Sequence, residues 1–290
     1  MILSAAMVLL GALSAVVSTA ETAGGEAEGE FAIAHDGCRL HFRVLGQADG
    51  PALFIAYPWT DYLVEMTSAD AATAETGKAE LEQLLDAFAD RYRIVHFDYP
   101  RGSHPTEGPL PGDLTPATVV KDFLAVADAA GVDRFALTGF SFSANYALQL
   151  ATHTDRVAAL AIGGWPPLSG PYEETLATVH QMLESGAFTG HGHAFLDSIR
   201  VYYETVIAEW DEAAEVPGFD MPRMIYVGDQ DTGAAEIMGA PINLAEPIVR
   251  RRAELESQGW EVVILEDRTH FIPWAEHVAT VRGFLDEIDW

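Results

Sequence analysis

Gly139-Phe140-Ser141-Phe142-Ser143 lies between an apolar run, Arg134 to Thr138, and an alanine-rich helical segment, Ala144 to Ala151. A serine on so tight a strand-to-helix turn presents its hydroxyl at the C-terminal edge of a sheet. The backbone turns that sharply only where the residues two before and two after are small. Gly139 and Ser143 are both small, so the stretch fits a relaxed G-x-S-x-G whose last glycine is serine. A serine hydroxyl is a poor nucleophile until a base takes its proton, and the base needs a buried acceptor that fixes its tautomer. Residues for both tasks stand downstream. The apolar run Met224-Ile225-Tyr226-Val227 ends in Gly228-Asp229-Gln230-Asp231, and Val262 to Leu265 ends in Glu266-Asp267-Arg268-Thr269-His270.

Serine, acid and histidine in that chain order, each just past an apolar strand, resemble the α/β-hydrolase superfamily. The likeness covers roughly residue 31 to the end. Asp36-Gly37-Cys38-Arg39-Leu40-His41-Phe42 is similar to the D-G-x-x-L-x-Y/F of that family's first hairpin, and Asp98-Tyr99-Pro100-Arg101-Gly102 to the D-x-x-R-G after its fourth strand. The resemblance implies an α/β-hydrolase fold, a mostly parallel central sheet flanked by helices, with a helical cap inserted at about residues 165–221. It implies Ser141 as nucleophile and His270 as base.

The acid follows from the same resemblance. Family members place it three residues after a glycine, which gives Asp231; Asp229 is the alternative and Asp98 a distant third. An oxyanion hole needs two backbone N–H groups. Phe142, the residue after the nucleophile, supplies the first. The second belongs to the loop after Leu53 to Tyr57, where Tyr57-Pro58-Trp59 replaces the family's His-Gly. Proline has no N–H to donate, which leaves Trp59. The implied activity is cleavage of an ester, lactone or similar small acyl compound through an acyl-enzyme, with no cofactor and no metal. A ligand-binding or sensory protein on the same scaffold, a perhydrolase and a carbon–carbon hydrolase are the alternatives. Relatives that open epoxides or remove halogen carry aspartate where this chain has Ser141.

The elements that must hold these residues follow from periodicity. Short apolar runs at Phe31 to Ile33, Leu40 to Val44, Leu53 to Tyr57, Ile94 to Phe97 and Ala158 to Ile162 read as strands. Leu81, Leu84, Leu85 and Phe88 have helical spacing within Ala79 to Ala89. Thr115-Pro116 reads as an N-cap followed by proline at the first helical position, opening a helix that stops at Gly131. Strands alternating with helices imply a parallel sheet covered on both faces. From Gly164 to Pro222 the pattern is of two or three amphipathic helices broken at Gly186, Gly190 and Gly192. Trp165, Pro166, Pro167 and Tyr172 stand where the cap begins, as pocket wall or as plain packing. Trp274 to Ile288 reads as the last helix, with His277 on its solvated face. His191 and His193 form an H-x-H pair without a third ligand at zinc spacing.

Forty-four acidic residues against 16 basic ones give a net charge of −28, and Lys78 and Lys121 are the two lysines. Nucleic acid and anionic membranes are poor partners for such a surface. A salt-tolerant source and an arginine-favouring, GC-rich genome both fit this composition. The single cysteine, Cys38, allows no intrachain disulfide and reads as a half-buried structural thiol. Residues 1–20 carry no charged side chain and fit a signal peptide, a membrane anchor or an extension from an early start, although the basic n-region of a signal is missing. Glu21 to Glu30 reads as a flexible acidic linker.

Overall fold

The computed structural model describes residues 29–55, 71–97, 99, 101, 114–186, 190–237 and 240–290. The apolar N-terminal segment, most of the acidic linker, Tyr57-Pro58-Trp59 and Asp98 lie outside these residues. Eight strands form one sheet: β1 (Glu30–Ile33), β2 (Arg39–Gly46), β3 (Ala52–Ile55), β4 (Arg93–Phe97), β5 (Phe135–Phe140), β6 (Val157–Gly163), β7 (Arg223–Gly228) and β10 (Trp260–Leu265). Their order across the sheet is β1-β2-β4-β3-β5-β6-β7-β10. Only β2 runs against its neighbours, β1 and β4; the remaining pairs are parallel.

Alternating side chains of the inner strands enter two separate cores, as the period of two in a strand requires. Leu53, Ile55, Ala136, Ala159, Ala161, Met224 and Tyr226 face one core. Phe54, Leu137, Leu160, Ile162, Ile225 and Val227 face the other. The first is closed by α1 (Ala71–Ala89) and α9 (Trp274–Leu285), the second by α2 (Pro116–Ala129) and α3 (Phe142–His153). Thr115 caps α2 by accepting the Thr118 N–H at 3.2 Å, and the chain leaves that helix through Gly131 at φ +65°.

Between β6 and β7 run α4 (Tyr172–Glu184), α5 (Gly190–Glu209), the short α6 (Glu212–Glu215) and a 3-10 turn at Val216–Gly218. Gly186, at φ +67°, does end the first of these. Gly192, expected as a break, lies inside α5 instead, whereas Gly190 is that helix's first residue. A glycine costs a helix only about 1 kcal/mol relative to alanine, and the buried stripe Leu196, Ile199, Tyr202, Tyr203 and Val206 outweighs it. Helix α1 also starts eight residues earlier than its apolar spacing indicates. A hairpin, β8 (Thr232–Ile237) with β9 (Ala240–Asn243), and the paired helices α7 (Ala245–Arg250) and α8 (Arg252–Ser257) follow β7 without a sequence signal that announced them. Among the described residues, no helix is long and apolar enough to cross a membrane.

Candidate active site

Strand β5 runs straight into α3, and the residue at the junction, Ser141, has φ 56° and ψ −122°. A non-glycine residue held at positive φ costs of order 1–3 kcal/mol, so neighbouring contacts must enforce it. Gly139 is one of them, because a Cβ there would meet the Ser143 carbonyl oxygen at 2.6 Å. Ser143 is another. Its hydroxyl accepts the Phe140 N–H at 2.9 Å and donates to the Phe140 carbonyl at 3.0 Å. The Ser141 N–H donates to the Gly163 carbonyl at 2.8 Å, which ties the turn to β6.

The loop after β10 carries His270, which is 7% exposed. Its Nε2 lies 2.9 Å from Ser141 Oγ and its Nδ1 lies 2.8 Å from Asp231 Oδ2. Asp231 is 1% exposed, and its carbonyl accepts the N–H groups of Leu244 and Ala245 at 3.0 and 2.7 Å. Hydrogen bonds between the β7 and β10 loops fix the spacing of acid and histidine. The Gln230 N–H donates to the Arg268 carbonyl at 2.8 Å, and a Cβ on Gly228 would lie 2.2 Å from that same oxygen. The chain also passes over the His270 ring at Gly164 (φ +62°), where a Cβ would stand 3.2 Å from His270 Cε1.

Of the expected residues, Ser141, Asp231 and His270 meet. Asp229 is exposed, and its carboxylate accepts the Arg268 N–H at 3.2 Å. Phe142 is the first residue of α3, whose opening N–H groups have no partner within the helix. Trp59, the second expected oxyanion donor, and Asp98 lie outside the described residues. Trp165 is buried and packs on Tyr172 and Tyr203, ring centroids 5.3 and 6.0 Å apart, while Phe142 packs on Tyr146, Tyr202 and Tyr203. Among the described residues no cluster of three histidine, cysteine or acidic side chains could hold a metal.

The two quoted hairpin and loop motifs meet at Arg101. Its buried guanidinium is bonded to both carboxylate oxygens of the buried Asp122, at 2.6 Å on one arm, and to Asp36. Burial works to lower the Arg101 pKa, but the bonds to Asp122 and Asp36 prevail and raise it.

His277 departs from expectation. It is 3% exposed rather than solvated, and its Nδ1 lies 2.9 Å from the Tyr226 hydroxyl. Helix α9 repeats its inward face at Trp274, His277, Val281 and Leu285, so position 277 falls on the packed stripe. Burial, and then the neighbouring His270, push its pKa down to about 3.

No family model matches the chain. Over 102 residues, 34% of this chain, it is 34% identical to a protein of Klebsiella pneumoniae (strain 342) provisionally named a carbamate hydrolase, RutD. It is equally similar to the protein of that name from Klebsiella variicola (strain At-22). The match spans 38% of the length of these relatives. Similar solved structures include an enol-lactonase from Burkholderia xenovorans LB400, at TM-score 0.58 and 21% identity over 89% of this chain and 100% of that one. An esterase from Rhodococcus sp. ECU1013 gives 0.57 and 17%, covering 90% and 99%. A Vigna radiata epoxide hydrolase mutant gives 0.61 and 18%, also covering 90% and 99%. The fold is that of the α/β-hydrolases.

Proposed function

We propose that the chain is a serine hydrolase that cleaves an ester, lactone or related small acyl compound through an acyl-enzyme. The observation that carries this reading is the unbroken run from Asp231 Oδ2 through the His270 ring to Ser141 Oγ, at 2.8 and 2.9 Å, on a serine held at positive φ. The names of the similar proteins, a carbamate hydrolase, an enol-lactonase and an esterase, accord with it.

In this mechanism Ser141 Oγ attacks the acyl carbon while His270 Nε2 takes the hydroxyl proton. Asp231 holds Nδ1–H, keeps the ring in the tautomer that leaves Nε2 free, and offsets the charge of the imidazolium that forms. The N–H of Phe142 and that of Trp59 receive the charge developing on the acyl oxygen. Each such donor is worth about 2.7–4 kcal/mol. His270 then returns its proton to the leaving group, and water, deprotonated by the same nitrogen, releases the acid and restores Ser141. Residues 165–221 act as the cap that walls the pocket and selects the acyl group. The epoxide chemistry named for one structural neighbour does not carry over, since family members that open epoxides carry aspartate where this chain has Ser141.

A fluorophosphonate probe tests the proposal directly. Wild type should be labelled on Ser141, and Ser141→Ala should neither label nor cleave p-nitrophenyl esters of any chain length. Absence of labelling in folded wild type sinks the hydrolase reading and leaves a binding protein on this scaffold.

A further inference from the structure

His277 is a buried titratable group that the proposed chemistry does not use. Its ring meets that of Phe140 edge-on, centroids 4.5 Å apart at 82°, and the Phe140 ring also meets that of His270, centroids 5.0 Å apart at 39°. Phe140 immediately precedes Ser141, so one side chain touches both histidines from within the turn that carries the nucleophile. His277 is also held by the bond to Tyr226 and by the Trp274 ring at 5.3 Å. Trp274 in turn donates through Nε1 to Glu80 on α1 at 3.3 Å. The Tyr226 ring lies directly over Gly163, where a Cβ would stand 2.2 Å from it.

We propose that His277 is a positioning residue for His270: bonded to Tyr226, it braces the Phe140 ring on which the His270 imidazole rests. The inference rests on the reading of Ser141, His270 and Asp231 as a hydrolytic relay. A brace at this place has to stay uncharged, because His270 becomes a cation each time it takes the Ser141 proton. Ionisable groups near it among the described residues include Tyr226 on β7, His270 with its partner Asp231, Glu80 bonded to Trp274, and Glu276 on its own helix, which pairs with Arg268 at 2.6 Å. Burial keeps His277 neutral.

The role separates from simple packing in three variants compared with wild type. His277→Leu removes the bond to Tyr226. His277→Gln keeps a group able to make it. Val281→Ala opens the same buried face of α9 and leaves the bond to Tyr226 in place. Two readouts are used: kcat and KM for a p-nitrophenyl ester, and the far-downfield proton resonance of His270 Nδ1–H held against Asp231, which needs no turnover. His277→Leu should lower kcat by about tenfold to a hundredfold with KM little changed, since misplacing a reacting group by about 1 Å costs up to 10²-fold. The resonance should broaden, and His277→Gln should restore both. A folded His277→Leu protein with wild-type kcat and a sharp resonance overturns the proposal, as does a Val281→Ala protein that loses as much of both. A wild type that labels no probe but loses the resonance in His277→Leu keeps the brace and refutes the hydrolase.

Discussion

Asp229 and Asp231, two residues apart on one loop, hold the same histidine in different ways. Asp231 bonds the His270 ring, whereas Asp229 bonds the backbone N–H of Arg268, two residues before it. Asp231→Asn should therefore favour the wrong imidazole tautomer and lower kcat by about 10⁴-fold, as the equivalent change does in a serine protease triad. Asp229→Asn keeps an acceptor for Arg268 and should stay within about threefold of wild type, an effect below the roughly tenfold that 1.4 kcal/mol represents. Steady-state kinetics of both variants on one ester decide the assignment; a dead Asp229→Asn with an active Asp231→Asn reverses it.

In the proposed mechanism Ser141 and His270 act as one unit, so their losses should not add. Ser141→Ala, His270→Ala and the double variant should all fall to nearly the same residual rate, because either change alone removes the route for the proton. Thermal melts that match wild type would show the fold intact. A double variant whose loss equals the product of the single losses would mean two independent contributions.

Much of this site is legible in the sequence, because independent signals coincide on the same few residues. Arg134 to Thr138, the small residues flanking Ser141 and the alanine-rich stretch after it all specify one strand, one turn and one helix. His270 is legible from its place after an apolar strand and before a helix. The hairpin β8–β9 was not, since Thr-Gly-Ala-Ala-Glu-Ile over 232–237 has small residues where an alternating strand would have β-branched ones. His277 was misplaced because a histidine reads as polar. Its spacing of three from Trp274 and four to Val281 carried the correct signal, and weighting position over residue type would have found it.

Stability should fall on acidification through His277. Its pKa is 6.5 ordinarily and about 3 in the folded chain, so below 6.5 the unfolded chain binds a proton that the folded one refuses. The stabilisation present above pH 6.5 is thus lost progressively as pH falls towards 3. One unit of difference is worth 1.36 kcal/mol, which makes the full loss on the order of a few kcal/mol. Urea unfolding at several pH values between 7 and 4 measures it. His277→Gln should flatten the dependence in that window, and an unchanged slope would place the proton uptake elsewhere.

Arg101 and Asp122 should show the asymmetry of a buried ion pair. Asp122→Leu leaves the guanidinium with Asp36 alone and should destabilise by about 3–5 kcal/mol, whereas Arg101→Met with Asp122→Leu removes both charges and should recover most of that loss. Denaturant midpoints for the two proteins give the comparison. A double variant no more stable than the single one would mean that Arg101 is needed for its packing.

With a net charge of −28, the folded chain should gain from screening. The Debye length falls from about 10 Å at 0.1 M to about 3 Å at 1 M salt, so the melting temperature should rise across that range of KCl. A flat response would leave the arginine-rich, lysine-poor composition as a matter of codon usage.

Glu212 accepts the Ser169 N–H at 2.7 Å, bonds the Gly170 N–H and takes the Tyr172 hydroxyl at 2.7 Å. One carboxylate thus joins two points 43 residues apart in sequence, just before α4 and just after α5. The enclosed helices form a loop whose base is already shut. Closing a flexible loop of twice the length costs only about 0.6 kcal/mol more. Insertions, deletions or an exchanged pair of helices inside that clasp would leave the strand ends carrying Ser141, Asp231 and His270 where they are. If these helices are the cap proposed above, selection on the bound molecule and selection on the reacting groups can proceed in separate parts of the gene.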